Sequence, residues 1–456
     1  MSTLFRLPAI ALILSLSVQA DAIAAPAEIL SEDWRFLPGS AQGAEDPDYD
    51  DSEWRILRLP HDWAVEGPFE AAADGGTGKL PWKGQGWYRR TFELPRRDSS
   101  GRVYFDFDGV MAFPKVYING QLAGEWDYGY NSFRVDATDF VKWGEENLLA
   151  VHVDTRKWGS RWYPGAGIYR KVGLTITGSI HLGHWGIQVL ATPAEQGPGR
   201  VSVSTLVENH DSRAADITIR HEVTGPDGVA VTTGQQTMRL RARHGADSKL
   251  QLDVTDALLW DVDHPHLYTL HTAVLQDGVV IDSENTRFGF RSFEFTADDG
   301  FHLNGRRVQL YGVNNHHDLG PLGGAFNERA ARRQLEIMQE MGVNALRTAH
   351  NPPAPEVLDL CDEMGILVWD EVFDKYAWTA GRPDLEPPLE EFSRRQIEAT
   401  IKRDFNHPSI VVWSTGNEVW IQVELEGISP ERVGMMAEMV RKLDLSRPVA
   451  QAGHIP

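Results

Sequence analysis

Near residue 296 the chain changes its hydrophobic grammar, and that change constrains the fold more than any other feature. Before it, short runs alternate apolar and polar residues between NG, DG and GYN turn signals, the pattern of antiparallel sheets with one buried face. After it, continuous apolar runs at Val308–Val313, Ala345–Thr348, Ile366–Trp369 and Ile410–Ser414 are separated by stretches of helical periodicity. The first helix opens at Asn327, a favoured N-cap, sets Ala331, Leu335 and Met338 on one face and stops at Gly342. The second begins with Pro355 and turns Leu358 and Cys361 inward, and the third, from about Leu389 to Phe405, carries Ile397, Ile401 and Phe405 at four-residue spacing. A fourth follows Ser429-Pro430 with Val433, Met436 and Val440. Such repeated units predict a parallel sheet, either open and doubly wound or closed into a (β/α)8 barrel. No Gly-rich dinucleotide turn follows the first strand, which favours the barrel. Four units and the start of a fifth at Pro448–Gln451 fill about 160 residues, against roughly 250 for a complete barrel. Residues 296–456 are therefore expected to form an incomplete (β/α)8 TIM barrel.

Residues 27–180 predict an all-β sandwich, with Val103–Phe107 and Lys115–Ile118 among its strands. Asn119-Gly120 fits a type I′ hairpin turn because both residues tolerate positive φ. Residues 182–294 predict a second, immunoglobulin-like sandwich built on Val201–Val207, Ile217–Val223 and Tyr268–Leu275. Ahead of both, Arg6, the apolar run Leu7–Val18 and the small residues Ala20, Ala22 and Ala24 read as a signal peptide over residues 1–24. The mature chain is expected to be periplasmic or secreted, and no later segment approaches the about 20 uncharged apolar residues of a membrane span. A net charge of −21 repels nucleic acid and anionic membranes, so neither is an expected partner. The single cysteine, Cys361, cannot form an internal disulfide and reads as a small buried hydrophobe. Nine of the fifteen Trp precede residue 165; flat indoles suit the apolar faces of sugar rings, although most Trp in a β-rich domain simply pack.

In parallel barrels the reactive groups gather at the C-terminal ends of the strands. Four ends here are polar: Asn314 to Asp318, then His350 and Asn351, then Asp370 and Glu371, then Asn417 and Glu418. Asn and Asp are common in turns and caps, so any one of these could be structural, but four on one face describe a rim that holds a polyhydroxylated ligand and moves a proton. Glu418, bordered by Val412, Trp413, Val419 and Trp420, is expected to have its charged form disfavoured by desolvation. A carboxyl kept protonated near neutral pH is what a general acid for a glycosidic oxygen requires, with the Asn417 amide beside it for a sugar hydroxyl.

The segments GVNNHHDLGPLGGAF, LRTAHNPPAPEVLDLCDEMGILVWDE and RDFNHPSIVVWSTGNEV closely resemble the catalytic domain of glycoside hydrolase family 2. DYGYNSFRVDATDFV and SRWYPGAGIYRKV resemble that family's jelly-roll-like sugar-binding domain, in its β-galactosidase branch. The resemblance covers nearly the whole mature chain. It implies a retaining exo-glycosidase of terminal β-galactosides with Glu418 as acid/base, Asn417 at the sugar 2-hydroxyl, His350 and His316 in the sugar subsite, and Asp370 as a further candidate on the same rim. It also implies a nucleophile Glu at the seventh barrel strand, expected beyond residue 456; without it the activity of these residues alone is doubtful. Asp370 or Glu371 could stand in for that group geometrically, but neighbouring strand-end acids more often brace the rim. Some relatives bind magnesium after the third strand with a His that is missing from Asp374-Lys375-Tyr376, so no metal is expected there and no cofactor is assigned. β-Glucuronidase, β-mannosidase and a non-catalytic carbohydrate-binding remnant stay open as alternatives, and the oligomeric state is not legible.

Other motifs are weaker. Gly75-Gly76-Thr77-Gly78-Lys79 lacks the hydroxyl residue and leading Gly of a phosphate loop and reads as a turn. His316 and His317, adjacent in an extended segment, point to opposite sides and do not make one metal site. Ser414 lacks the flanking glycine of a nucleophile elbow. An open half barrel exposes strand edges and apolar helix faces, so residues 1–456 alone are expected to be poorly soluble, which a soluble, cooperatively melting product would contradict.

Overall fold

The computed structural model describes residues 28–72, 75–96, 101–194, 197–375, 389–418 and 430–453; the signal-peptide expectation falls outside them. The first unit is a sandwich of a six-stranded and a four-stranded antiparallel sheet. Alternate residues of its long strands, Tyr88, Phe105, Phe107, Leu149 and Val151 among them, fill the space between the sheets. The Asn119-Gly120 turn forms as expected, with φ of 50° and 84° between the paired residues Ile118 and Gln121. Most of the early Trp are packing residues: Trp34, Trp54, Trp82, Trp87 and Trp158 are buried.

The second unit pairs a three-stranded with a four-stranded antiparallel sheet around Val201, Val203, Ile217, Ile219, Leu270 and Phe288, an immunoglobulin-like sandwich. The third carries five parallel strands in sequential order: β1 (Gly312–Asn315), β2 (Ala345–Thr348), β3 (Leu367–Glu371), β4 (Ile410–Asn417) and β5 (Val449–Ala452). Helices α1 (Glu328–Glu340), α2 (Pro355–Met364), α3 (Leu389–Asp404) and α4 (Pro430–Leu443) alternate with them. This is the first part of a TIM barrel. Among the described residues no helix is long and apolar enough to cross a membrane.

The helices follow their sequence signals. Asn327 caps α1 by accepting from the Ala330 N–H, and α2 ends at Gly365, whose φ of 70° and close approach to the Val262 carbonyl leave no room for a side chain. Leu358 and Cys361 are buried as expected. The strands differ more. The apolar run at Val308–Leu310 packs near Phe301 and Leu303 at the foot of the sheet, and pairing begins only at Gly312 opposite Ala345. At the other end β4 runs on through Asn417 because Ser414 and Asn417 pair with Ala450 and Ala452. Apolarity marks burial, whereas the ladder marks the strand, and the two are offset here.

The first sandwich is docked on the barrel rather than tethered to it. Tyr128, Tyr130, Trp158 and Tyr169 share one apolar cluster with Leu346, Val372 and Phe392. Arg170, fully enclosed, donates to the carbonyls of Asp108, Tyr130, Pro352 and Pro353, so one guanidinium bridges the two units. Beneath the sheet, Trp260 of the second unit donates to the Asp362 carbonyl at 2.8 Å, and the Asp362 carboxylate holds His407 at 2.6 Å and the Ser409 N–H at 3.0 Å.

Burial opposes the charge on His407, but the charge and hydrogen bond of Asp362 outweigh it and raise the imidazole above its ordinary value of 6.5. The raised value means that this stabilisation is complete below the unfolded pKa and is lost as pH climbs through the folded one. Thermal melts from pH 6 upward are expected to fall through this window, and His407→Gln is expected to flatten that part of the profile. An unchanged slope in the variant would contradict the assignment.

Candidate active site

The rim is built outward from Glu371, at the end of β3 and fully buried. Its carboxylate takes a bidentate contact from Arg347 of β2 (2.6 and 2.9 Å), a bond from His350 Nδ1 at 2.7 Å and one from the Ser414 hydroxyl of β4 at 2.6 Å. Its own N–H donates to Thr348 Oγ1 at 2.9 Å. A buried carboxylate needs this many donors to be tolerated. All its lone pairs are committed, so Glu371 braces the rim and does not attack a substrate.

Arg347 also donates to Asn417 Oδ1 at 3.0 Å, while Asn417 Nδ2 donates to Asp374 at 2.9 Å. The amide is thereby fixed in orientation. Asp374 accepts in turn from Arg161 at 2.9 Å, and Arg161 reaches Glu418 at 3.0 Å. Lys375 stands 3.6 Å from the same Glu418 oxygen. Burial works against the charge on Arg161, but the bonds to Asp374 and Glu418 raise its pKa all the same. Trp162, next in the sequence, lies 4.4 Å from the His316 ring and 5.7 Å from that of His350, and the two imidazoles meet edge to face at 5.3 Å. Burial, and then the neighbouring His350, lower the pKa of His316, which is therefore neutral at pH 7.

Four of the five residues singled out from the sequence, Glu418, Asn417, His350 and His316, gather on this rim. Asp370 does not. Strand alternation turns it away from Glu371 toward α3, where it is fully buried, accepts from Thr348 Oγ1 at 3.2 Å and lies against Asp404. Burial, reinforced by the Asp404 charge, pushes its carboxyl well above the usual range, so it is a protonated wall residue rather than a ligand for substrate.

The desolvated seat expected for Glu418 also fails. Its side chain is 36% exposed and faces two cations. Trp413 turns the other way and donates to Asp444 at 2.8 Å in the helix layer, so it does not cover the carboxylate; Val419 and Trp420 lie outside the described residues. The backbone of Glu418 sits at φ 51°, a left-handed conformation that costs a non-glycine residue about 1 kcal/mol and aims the side chain off the strand end. His317, as expected, parts from His316: it packs against Tyr130 and Tyr169 and bonds the Pro164 carbonyl at 3.2 Å. In the stretch Asp374-Lys375-Tyr376, Asp374 is engaged by Arg161 and Asn417, and Tyr376 lies outside the described residues.

Residues 295–455 match the TIM barrel domain of glycosyl hydrolases family 2, residues 78–177 that family's sugar binding domain, and residues 181–291 a further stretch described as glycosyl hydrolases family 2. The chain belongs to glycosyl hydrolase family 2. Among family 2 proteins it is 41% identical over 410 residues to a beta-galactosidase of Bacteroides ovatus, covering 89% of this chain and 48% of that protein. To a putative beta-glucuronidase of Formosa agariphila it is 34% identical, covering 88% of this chain and 38% of the relative. A crystal structure of a family 2 member from Bacteroides cellulosilyticus superposes with a TM-score of 0.88 at 32% identity, over 94% of this chain and 56% of that one. The chain thus spans about half the length, or less, of these curated relatives.

Arg161, Trp162, Arg347, Asp374 and Lys375 were not read as site residues from the sequence. Arg161 and Trp162 come from the sugar binding domain and reach the rim only through docking. Arg347 could have been found by alternation, since it faces opposite to Thr348 on β2. Glu371→Gln is expected to cost about 3 kcal/mol in a denaturation experiment because Arg347 loses its counter-charge in a largely buried place. Adding Arg347→Met is expected to recover part of that loss; strictly additive losses would show that the two side chains do not interact.

Proposed function

We propose that the complete protein carrying this chain is a retaining exo-glycosidase that removes terminal β-D-galactosyl residues from oligosaccharides or glycans. The observation that carries this is Glu418, at the end of β4, with an oriented Asn417 amide before it and a linked series of hydrogen bonds back to Glu371. Glu418 protonates the leaving oxygen and later takes a proton from water, while a second carboxylate about 5 Å away forms the glycosyl intermediate. The second N–H of Asn417 holds the sugar 2-hydroxyl, and Trp162, His316 and His350 border the ring. On substrate entry the Glu418 carboxyl exchanges Arg161 for the glycosidic oxygen.

Charge balance supports a neutral sugar over a uronate. Each guanidinium on the rim has its own carboxylate: Arg347 with Glu371 and Arg161 with Asp374. Among the described residues neither of these two guanidiniums is left over for a substrate carboxylate. The beta-galactosidase relative supports the same choice, although proteins named beta-glucuronidase also match. Export is part of this proposal and rests on the N-terminal sequence Arg6 to Ala24.

With a panel of aryl glycosides, the β-galactoside is expected to turn over fastest, and a preference for the β-glucuronide would overturn the sugar assignment. Glu418→Gln is expected to lower turnover of a poor leaving group by about 10²–10⁴-fold. Azide is expected to restore part of the activity on a good leaving group by taking the place of activated water. Unchanged turnover of the poor leaving group would remove Glu418 from the acid/base role.

A further inference from the structure

Away from the rim, where the chain passes from the first sandwich into the second, three side chains converge that the sequence reading did not connect. Strands Ile180–Thr192 and Gly199–Asn209 pair antiparallel with His181 directly opposite Glu208, and His210 follows two residues after Glu208. One nitrogen of each imidazole and one oxygen of Glu208 lie within 4.8 Å of one another. His210 Nε2 is 3.0 Å from Glu208 Oε2, His181 Nε2 is 3.9 Å from it, and the two rings lie nearly parallel with centroids 5.2 Å apart. Ligands bound to zinc at about 2.1 Å in a tetrahedron are about 3.4 Å apart, so these distances bracket the requirement.

The surroundings select the metal-binding form. His181 Nδ1 donates to the Leu182 carbonyl at 2.8 Å, which leaves the Nε2 lone pair facing Glu208, the usual orienting bond of a metal-ligating imidazole. That nitrogen's present neighbour is the Tyr104 hydroxyl of the first sandwich at 3.1 Å, a donor that a cation would displace. His181 is buried, whereas Glu208 and His210 are each about one-third exposed, so an ion has both a route in and a face open to water. The other histidine–carboxylate group in the described residues, Asp359, Asp362 and His407, is already committed: Asp359 to Arg287, and Asp362 to His407 and the Ser409 N–H.

We propose that His181, Glu208 and His210 form a binding site for a divalent transition-metal ion of the zinc class, completed by water, that clips the start of the second sandwich. Two imidazoles and one carboxylate are a borderline donor set that favours zinc over calcium or magnesium. The role is structural, since the site lies outside the barrel.

The test is zinc titration of the complete, chelator-treated protein by calorimetry, with visible absorption of the cobalt(II) form as a report on coordination. Because Glu208 and His210 are partly exposed, Glu208→Gln and His210→Ala are expected to fold, with metal-free melting temperatures close to that of the parent. The parent is expected to take up one zinc ion with a rise in melting temperature and an intense tetrahedral cobalt band. His210→Ala is expected to lose both signals, and Glu208→Gln to bind at least about tenfold more weakly. Absence of zinc uptake by the parent, or uptake that is unchanged in both variants, overturns the proposal.

Discussion

A carboxylate buried as completely as Glu371 is tolerated only if every oxygen lone pair meets a donor, and that requirement organises the top of the sheet. Its partners come from the ends of β2 and β4, so three strand ends are locked by one charge. From there the bonds run without a gap: Arg347 to Asn417, Asn417 to Asp374, Asp374 to Arg161 and Arg161 to Glu418. Charge alternates along this path, and each group orients the next. Glu418 is therefore held by a network rooted in the core, not by burial of its own side chain.

The network closes only because the first sandwich is fixed against the barrel. Arg170 ties its end of the segment 160–172 to the carbonyls of Pro352 and Pro353. Near the other end Asp62 accepts from the N–H groups of Ala166 and Gly324 and from the Tyr163 hydroxyl, joining the loop to the residues that follow β1. Gly167, at φ 119°, lies where a side chain would run into the Tyr88 hydroxyl, so the close turn depends on glycine. Arg161 and Trp162 immediately precede these anchors and are presented to the rim.

Much of this was legible in the sequence. Period-two and helical patterns separated the three units, and Asn327, Gly342 and Pro355 act where cap and breaker chemistry places them. Glu418, Asn417, His350 and His316 share one rim, the place at which strand-end position in a parallel barrel leads one to look for reactive groups. Asp370 was misread because strand-end position does not tell which of two adjacent acids faces inward, and one residue of alternation separates the brace Glu371 from the protonated wall residue. The environment of Glu418 was misread because its neighbours in sequence, such as Trp413, point elsewhere while its neighbours in space, Arg161 and Lys375, come from other segments. Local sequence carries propensity and facing; it does not carry docking.

In the proposed reaction the carboxyl at 418 delivers the proton to the bond being broken. A crystal structure of the complete protein with a slowly cleaved β-galactoside tests this most directly. A Glu418 oxygen within about 2.6–3.2 Å of the glycosidic oxygen, with the Asn417 amide on the 2-hydroxyl, is the predicted result. A glycosidic oxygen served by another acid, with Glu418 still held by Arg161 and turned from the sugar, would contradict it.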